Sequence, residues 1–150
     1  MKEAAFLVAL LSASAILASD PIDLEFMDSG NTKYRTTTVS ADLRRDFHFI
    51  NEKVKVFLIE TPSLDNKNYK EQNGVLNALG HMAETYQVLY VVACPSAEYK
   101  HGYHTSTEEA KKLMGASNAF RVRLLSSSGV VRRESNKPIS AEELTRWFEE

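Results

Sequence analysis

An α/β fold with a mixed four-stranded sheet and helices on both faces is predicted by three features of the sequence. Val54 to Ile59 and Gln87 to Ala93 are apolar, β-rich runs separated by an amphipathic stretch. Phe120 to Leu125 and Val130 to Arg133 flank a Ser126-Ser127-Ser128-Gly129 turn, the pattern of a hairpin. Ser106 with Glu109, and Ser140 with Glu143, each set a hydroxyl three residues before a glutamate at the head of an apolar-periodic run. That spacing starts a helix, because the hydroxyl accepts from an otherwise orphaned N–H.

The elements follow in order. Ala4 to Ala18 is apolar but shorter than the about 20 residues a membrane-spanning helix needs. With small residues at Ala13-Ser14-Ala15 and Ala18-Ser19, residues 1–19 read as a signal peptide, although Glu3 offsets Lys2. Residues 20–39 are polar, carry Gly30-Asn31 and three consecutive threonines, and show no sustained period. They are expected to form an N-terminal arm ahead of a domain spanning 40–150. Ser40 is placed to cap a short helix with Leu43, Phe47 and Ile50 on its apolar face.

Val54 to Ile59 is the first strand of the domain. A helix is expected from Asp65 or Asn66, with Tyr69, Leu76, Leu79, Met82 and Ala83 near one stripe. Gln87 to Ala93 is the second strand, ended by Cys94-Pro95. Two strands joined by a helix should lie parallel with a right-handed crossover. Pro95 to Thr105 is a polar loop, and Ser106 opens a helix through Leu113 and Met114 that Gly115 closes. The hairpin comes next, and then a last helix with Leu144, Trp147 and Phe148 on one face. The order β-α-β-α-β-β-α after one N-terminal helix is the thioredoxin-like plan.

In that plan a redox thiol belongs at the turn between the first strand and its helix, where the helix N-terminus lowers a thiol pKa. The turn here is Glu60-Thr61-Pro62-Ser63-Leu64-Asp65. It has no cysteine, and the residues before the third strand are Asn118-Ala119 rather than a proline. Dithiol exchange, and peroxide reduction by a peroxiredoxin-like cysteine at this turn, therefore fail for want of a thiol. Cys94 is the only cysteine. It forms no internal disulfide, and it is expected either as a small core hydrophobe or as a free thiol able to pair with another chain.

Segments 57–79 and 120–144 carry a more particular pattern. Pro62, Asp65, Tyr69, Gln72, Leu76 and Leu79 mark the first, and FRVRLLSSSGVVRRESNKPISAEEL is the second. Together they resemble a secreted thioredoxin-like domain of unknown function. That domain is shared by small exported bacterial proteins and by animal matrix proteins such as the sushi-repeat-containing ones. The resemblance runs over about Val54 to Phe148. It implies the same fold and export, and brings no catalytic residues.

Charge adds a local feature. The net charge of −2 makes no general case for nucleic acid, and no Asn-x-Ser/Thr acceptor is present. Between Lys100 and Lys137, however, eight basic residues face only Glu108, Glu109 and Glu134. Arg121 and Arg123 share one face of the third strand, with Phe120, Val122 and Leu124 on the other. On a central strand two arginines are costly unless paired with carboxylate or set at an opening. Arg121, Arg123, Arg132 and Arg133 are thus the candidate anion-binding residues, with an anionic glycan or an acidic protein as the suited partner. His101-Gly102-Tyr103-His104 puts two imidazoles in the loop, too few for a metal site without further ligands.

The expected function is a secreted (extracellular or periplasmic), non-catalytic binding or matrix-associated module with no cofactor and no membrane span. The alternative is a degenerate redox or peroxidase-like enzyme using Cys94, or the turn Thr61 to Asp65, with Arg121 or Arg123.

Overall fold

The computed structural model describes residues 20–47 and 53–150. The expected signal peptide and Ile50 lie outside the described residues. β3 (Lys55–Glu60), β4 (Val88–Ala93), β5 (Arg121–Leu125) and β6 (Val131–Ser135) form a sheet in the order β4-β3-β5-β6. β3 and β4 are parallel, and the pairs β3–β5 and β5–β6 are antiparallel. The predicted mixed sheet is present, with the third strand internal.

Alternation along β3 separates two cores. Phe57 and Ile59 meet Tyr69 and Leu76 of α2 (Lys67–Leu79) and Leu144, Trp147 and Phe148 of α5 (Ala141–Glu149). Val56 and Leu58 meet Leu43 of α1 (Val39–Asp46) and Ala110 of α4 (Thr107–Met114) on the other face. A buried side chain of this size contributes about 1.5–3 kcal/mol, so the apolar face of α5 is a main anchor of the fold.

The caps explain the helix starts. Asn66 accepts from the Tyr69 N–H at 3.0 Å, Ser106 from the Glu109 N–H at 3.1 Å, and Ser140 from the Glu143 N–H at 3.2 Å. Gly80 and Gly115 close α2 and α4 with φ of 60° and 56°, which a side chain would strain. Gly80 also cuts the expected stripe short: Met82 and Ala83 belong to a separate turn of helix, α3 (Met82–Thr85).

Three expectations near the N-terminus are corrected. Residues 20–39 are not a loose arm. β1 (Glu25–Met27) and β2 (Lys33–Arg35) pair antiparallel, burying Phe26 and Tyr34 against Leu43, Val56 and Leu58. Only one residue in each three-residue strand is buried, so the sequence carries too little alternation to register as a strand. Ser40 is not a helix cap, because α1 begins after Thr38 and the Ser40 hydroxyl instead accepts from the Val54 N–H at 2.8 Å. Phe47 falls just past α1, as its C-cap, and is 38% exposed.

The loop 95–105 is partly built into the sheet. Met27 and His104 exchange backbone bonds of 2.8 and 2.9 Å, while Val92 donates to Tyr103 and accepts from Thr105. This stitches the β1–β2 hairpin to the outer strand β4. His104 is accordingly buried, not solvated, and its Nδ1 donates to the Gly102 carbonyl at 2.8 Å. No helix among the described residues is long and apolar enough to cross a membrane.

Candidate functional site

The turn after β3 is a closed piece of hydrogen bonding. Thr61 is fully buried; its N–H donates to the Ala93 carbonyl at 3.0 Å and its hydroxyl to the Ser63 carbonyl at 2.8 Å. Ser96 donates to the Pro62 carbonyl at 3.0 Å, tying the turn to the segment that follows β4. Asn66 supplies the side chain at the start of α2. The position that a redox thiol would use therefore carries no thiol, and its Thr61 and Asn66 side chains are engaged with backbone.

Cys94 lies in the neighbouring segment. It is 1% exposed, within the core that contains Ile59, Tyr69 and Trp147, and its Sγ is 3.3 Å from the Ser96 hydroxyl. Tyr69 is buried there too, with a phenol oxygen that has no partner among the described residues. Burial, with smaller contributions from Tyr99 and Cys94, pushes the Tyr69 pKa up to about 12.

The arginines belong to the other face. Strand alternation puts Val122 with the Cys94 core and Arg121 and Arg123 opposite it. Both converge on Glu60, the last residue of β3, which is 1% exposed. Arg121 donates to the two oxygens of Glu60 from Nε at 3.1 Å and Nη2 at 2.8 Å. Arg123 reaches Oε2 from Nε at 2.9 Å and from Nη2 at 2.9 Å. The hydrogen bonds to Glu60 raise the Arg121 pKa, whereas burial lowers that of Arg123. Both stay protonated, since a guanidinium titrates far above neutral pH. Two guanidiniums thus share one hydrogen-bonded carboxylate, and Glu134, opposite Arg123 on β6, adds a second negative charge nearby. Arg121 is left partly open, with its side chain 38% exposed against 11% for Arg123.

The hairpin arginines sit differently. Arg133 pairs through Nε and Nη2 with the Glu150 carboxylate, which raises the Arg133 pKa and lowers that of Glu150. Arg132 is exposed. The four arginines singled out by sequence thus do not form one surface: two clasp a buried carboxylate, one holds the chain end, and one is in solvent. The Cys94 half of the enzyme alternative loses its geometry, because the sheet separates Cys94 from Arg121 and Arg123, whereas the turn Thr61 to Asp65 directly follows Glu60, the residue that Arg121 clasps. Among the described residues no cluster of three or more His, Cys, Asp or Glu could hold a metal ion.

The sequence named Glu60 only as the head of the turn and Gln72 only as a mark of the resemblance, and assigned neither a partner. Glu60 ends an otherwise apolar run, and that position is the one signal it offers. Gln72 is fully buried between Tyr69 and Leu76 on α2, where its amide accepts from the Ile139 N–H at 2.7 Å and donates to the Ile139 carbonyl at 3.2 Å. Its place on the buried stripe was the available clue.

No protein-family model matches the chain, and no curated protein matches it. Solved structures do. Peroxidoxin BcpB from Mycobacterium tuberculosis superposes with a TM-score of 0.60 at 11% identity, over 87% of this chain and 94% of that one. The reduced 2-Cys peroxiredoxin of Plasmodium vivax gives 0.59 at 12%, over 87% and 78%. StoA from Bacillus subtilis gives 0.57 at 13%, over 85% and 97%. Likeness at such identities is a likeness of fold: the chain has an α/β thioredoxin-like fold, and it has one cysteine and no cysteine pair.

Proposed function

We propose that the protein is an exported, non-catalytic thioredoxin-like binding module, matrix-associated and devoid of dithiol chemistry. One observation carries the reading: the turn that opens α2 has no thiol, and the lone cysteine is buried in an apolar core. The resemblance of segments 57–79 and 120–144 to the secreted thioredoxin-like domain supports export in the same sense. Thiol titration of the native and then the denatured protein, beside a peroxide-consumption assay, tests it. Cys94 should react only after unfolding, and peroxide should not be turned over. A fast native thiol with peroxide turnover would overturn the reading.

For an anionic glycan or an acidic protein, the cations with free surface are Arg121 and Arg132 rather than Arg123. Replacing Arg121 and Arg132 together with alanine should lower the salt needed for elution from a heparin column while leaving Arg123 on Glu60. Elution at unchanged salt would sink the anionic partner.

A further inference from the structure

The two outer strands of the sheet are unlike. β6 presents Arg132, Arg133 and Glu134, a charged edge of the kind that resists further strand pairing. β4 presents Val88, Leu89, Tyr90, Val91, Val92 and Ala93, with no charge and no proline. Its backbone orientation follows from its bonds to neighbours. Lys55 N–H donates to the Gln87 carbonyl and Thr61 N–H to that of Ala93, so alternate residues from Gln87 face β3. Val88, Tyr90 and Val92 face outward.

Among the described residues, backbone bonding beyond the sheet reaches only the far end of this edge. Val92 donates to the Tyr103 carbonyl at 3.1 Å and accepts from the Thr105 N–H at 3.0 Å, so the chain has laid its own segment there as a short parallel bridge. The outward N–H and C=O groups of Val88 and Tyr90 have no hydrogen-bond partner among the described residues. They run along a cleft of about 710 Å³ that includes Val88, Leu89 and Tyr90. Leu43, Phe47 and Tyr103 wall it on one face of the sheet, and Asn73, Asn77 and Glu84 on the other. Gln87 stands at its head, with a buried side-chain oxygen that has no donor among the described residues.

We propose that the Val88–Tyr90 edge of β4 docks an extended segment of a partner protein as an added strand, with apolar side chains toward Phe47 and Tyr103 and a lysine, arginine or amide side chain toward Glu84 and Gln87. Main-chain bonding supplies affinity in this mode, and alternate side chains supply selectivity. The segment continues a line of pairing that residues 103–105 already begin. The buried Gln87 Oε1 calls for a donor on the partner, and the exposed Glu84, 3.4 Å from His81, adds a carboxylate beside it. A second copy of β4 does not suit the place. Both edges would lie between walls, and two recessed edges cannot close to the about 4.8 Å that strand pairing requires.

The inference rests on the binding-module reading for the existence of a partner, but not on the basic hairpin at the other edge of the sheet. The test uses isotope-labelled protein and a capped hexapeptide of alternating valine and lysine, with a counterpart N-methylated at every internal amide. Saturation with the first peptide should slow amide exchange at Val88 and Tyr90 by about tenfold or more, and leave Leu89, already bonded to β3, unchanged. The methylated peptide should do neither. Absence of binding up to about 1 mM, equal binding of the methylated peptide, or protection confined to other residues would overturn the proposal. Concentration-dependent protection of the same amides in the free protein would overturn it in favour of self-association. The thiol titration is independent of these outcomes. A silent Cys94 with no peptide binding sinks the docking site alone, and a reactive native thiol sinks the module reading even if the peptide binds.

Discussion

Replacing Glu60 with alanine removes the one carboxylate shared by Arg121 and Arg123, and the consequence can be worked from their surroundings. The side chain of Arg123 is 11% exposed and that of Glu60 1%, so the substitution strands a guanidinium that water reaches poorly. Breaking a buried pair from one side costs about 3–5 kcal/mol, chiefly as desolvation that is no longer compensated. Arg121 adds little to that sum, because its 38% exposure lets solvent take over and screens the pair. For a domain of this size each kcal/mol shifts the melting temperature by about 2–4 °C, so Glu60→Ala should melt roughly 10 °C early. Arg121→Ala should cost only about 1 kcal/mol, since Arg123 keeps its partner. Glu60→Leu combined with Arg123→Met should recover most of the loss by replacing the pair with apolar volume. Urea unfolding followed by the fluorescence of Trp147, the sole tryptophan and part of the core, reads all three variants. If Glu60→Ala unfolds at the wild-type midpoint, the cluster is not a buried charge clasp and the argument fails.

Other perturbations test neighbouring parts of the same frame. Gln72→Leu leaves the Ile139 N–H and C=O buried without partners and should cost about 2–4 kcal/mol in the same urea assay, whereas a neutral result would mean that water replaces the amide. Gly129→Ala should destabilise by about 1–3 kcal/mol, because φ is 86° and a new Cβ would meet the Ile22 carbonyl at 2.7 Å; an unchanged midpoint would show that the hairpin turn is not pinned to the N-terminal segment. Tyr69 and Tyr34 are both pushed up to about 12, by burial first and, for Tyr34, also by its bond to Asp46. A raised folded pKa means that stability is fully present below the unfolded value near 10 and is lost as pH rises through about 12. Absorbance of these phenolates at alkaline pH should therefore appear together with unfolding in that window, and early ionisation with the fold intact would refute the burial of both rings.

Helix starts were legible because capping is local: Ser106, Ser140 and Asn66 act on an N–H three residues away. The strands were legible because alternation and β-branched runs are local as well. The arginines were legible only as a problem. That Arg121 and Arg123 need a carboxylate follows from their position on an internal strand, but the carboxylate itself, Glu60, lies 61 residues before Arg121. It comes into reach only through the antiparallel register that sets Glu60 beside Arg121. The β1–β2 hairpin was not legible, since its strands are three residues long and are stabilised by what they cover rather than by their own pattern.

By itself the sequence determined the order of the four sheet strands and their main connecting helices, the capped starts of α2, α4 and α5, and the lack of a thiol where a thioredoxin-like site would have one. Each is a property of neighbours along the chain, carried by periodicity, capping or residue identity. Tertiary structure alone decided which charges cancel, on which side of the sheet Cys94 and the arginines fall, and which strand edge stays open. Those depend on pairings across long separations, where a shift of register by one residue turns every side chain to the opposite face.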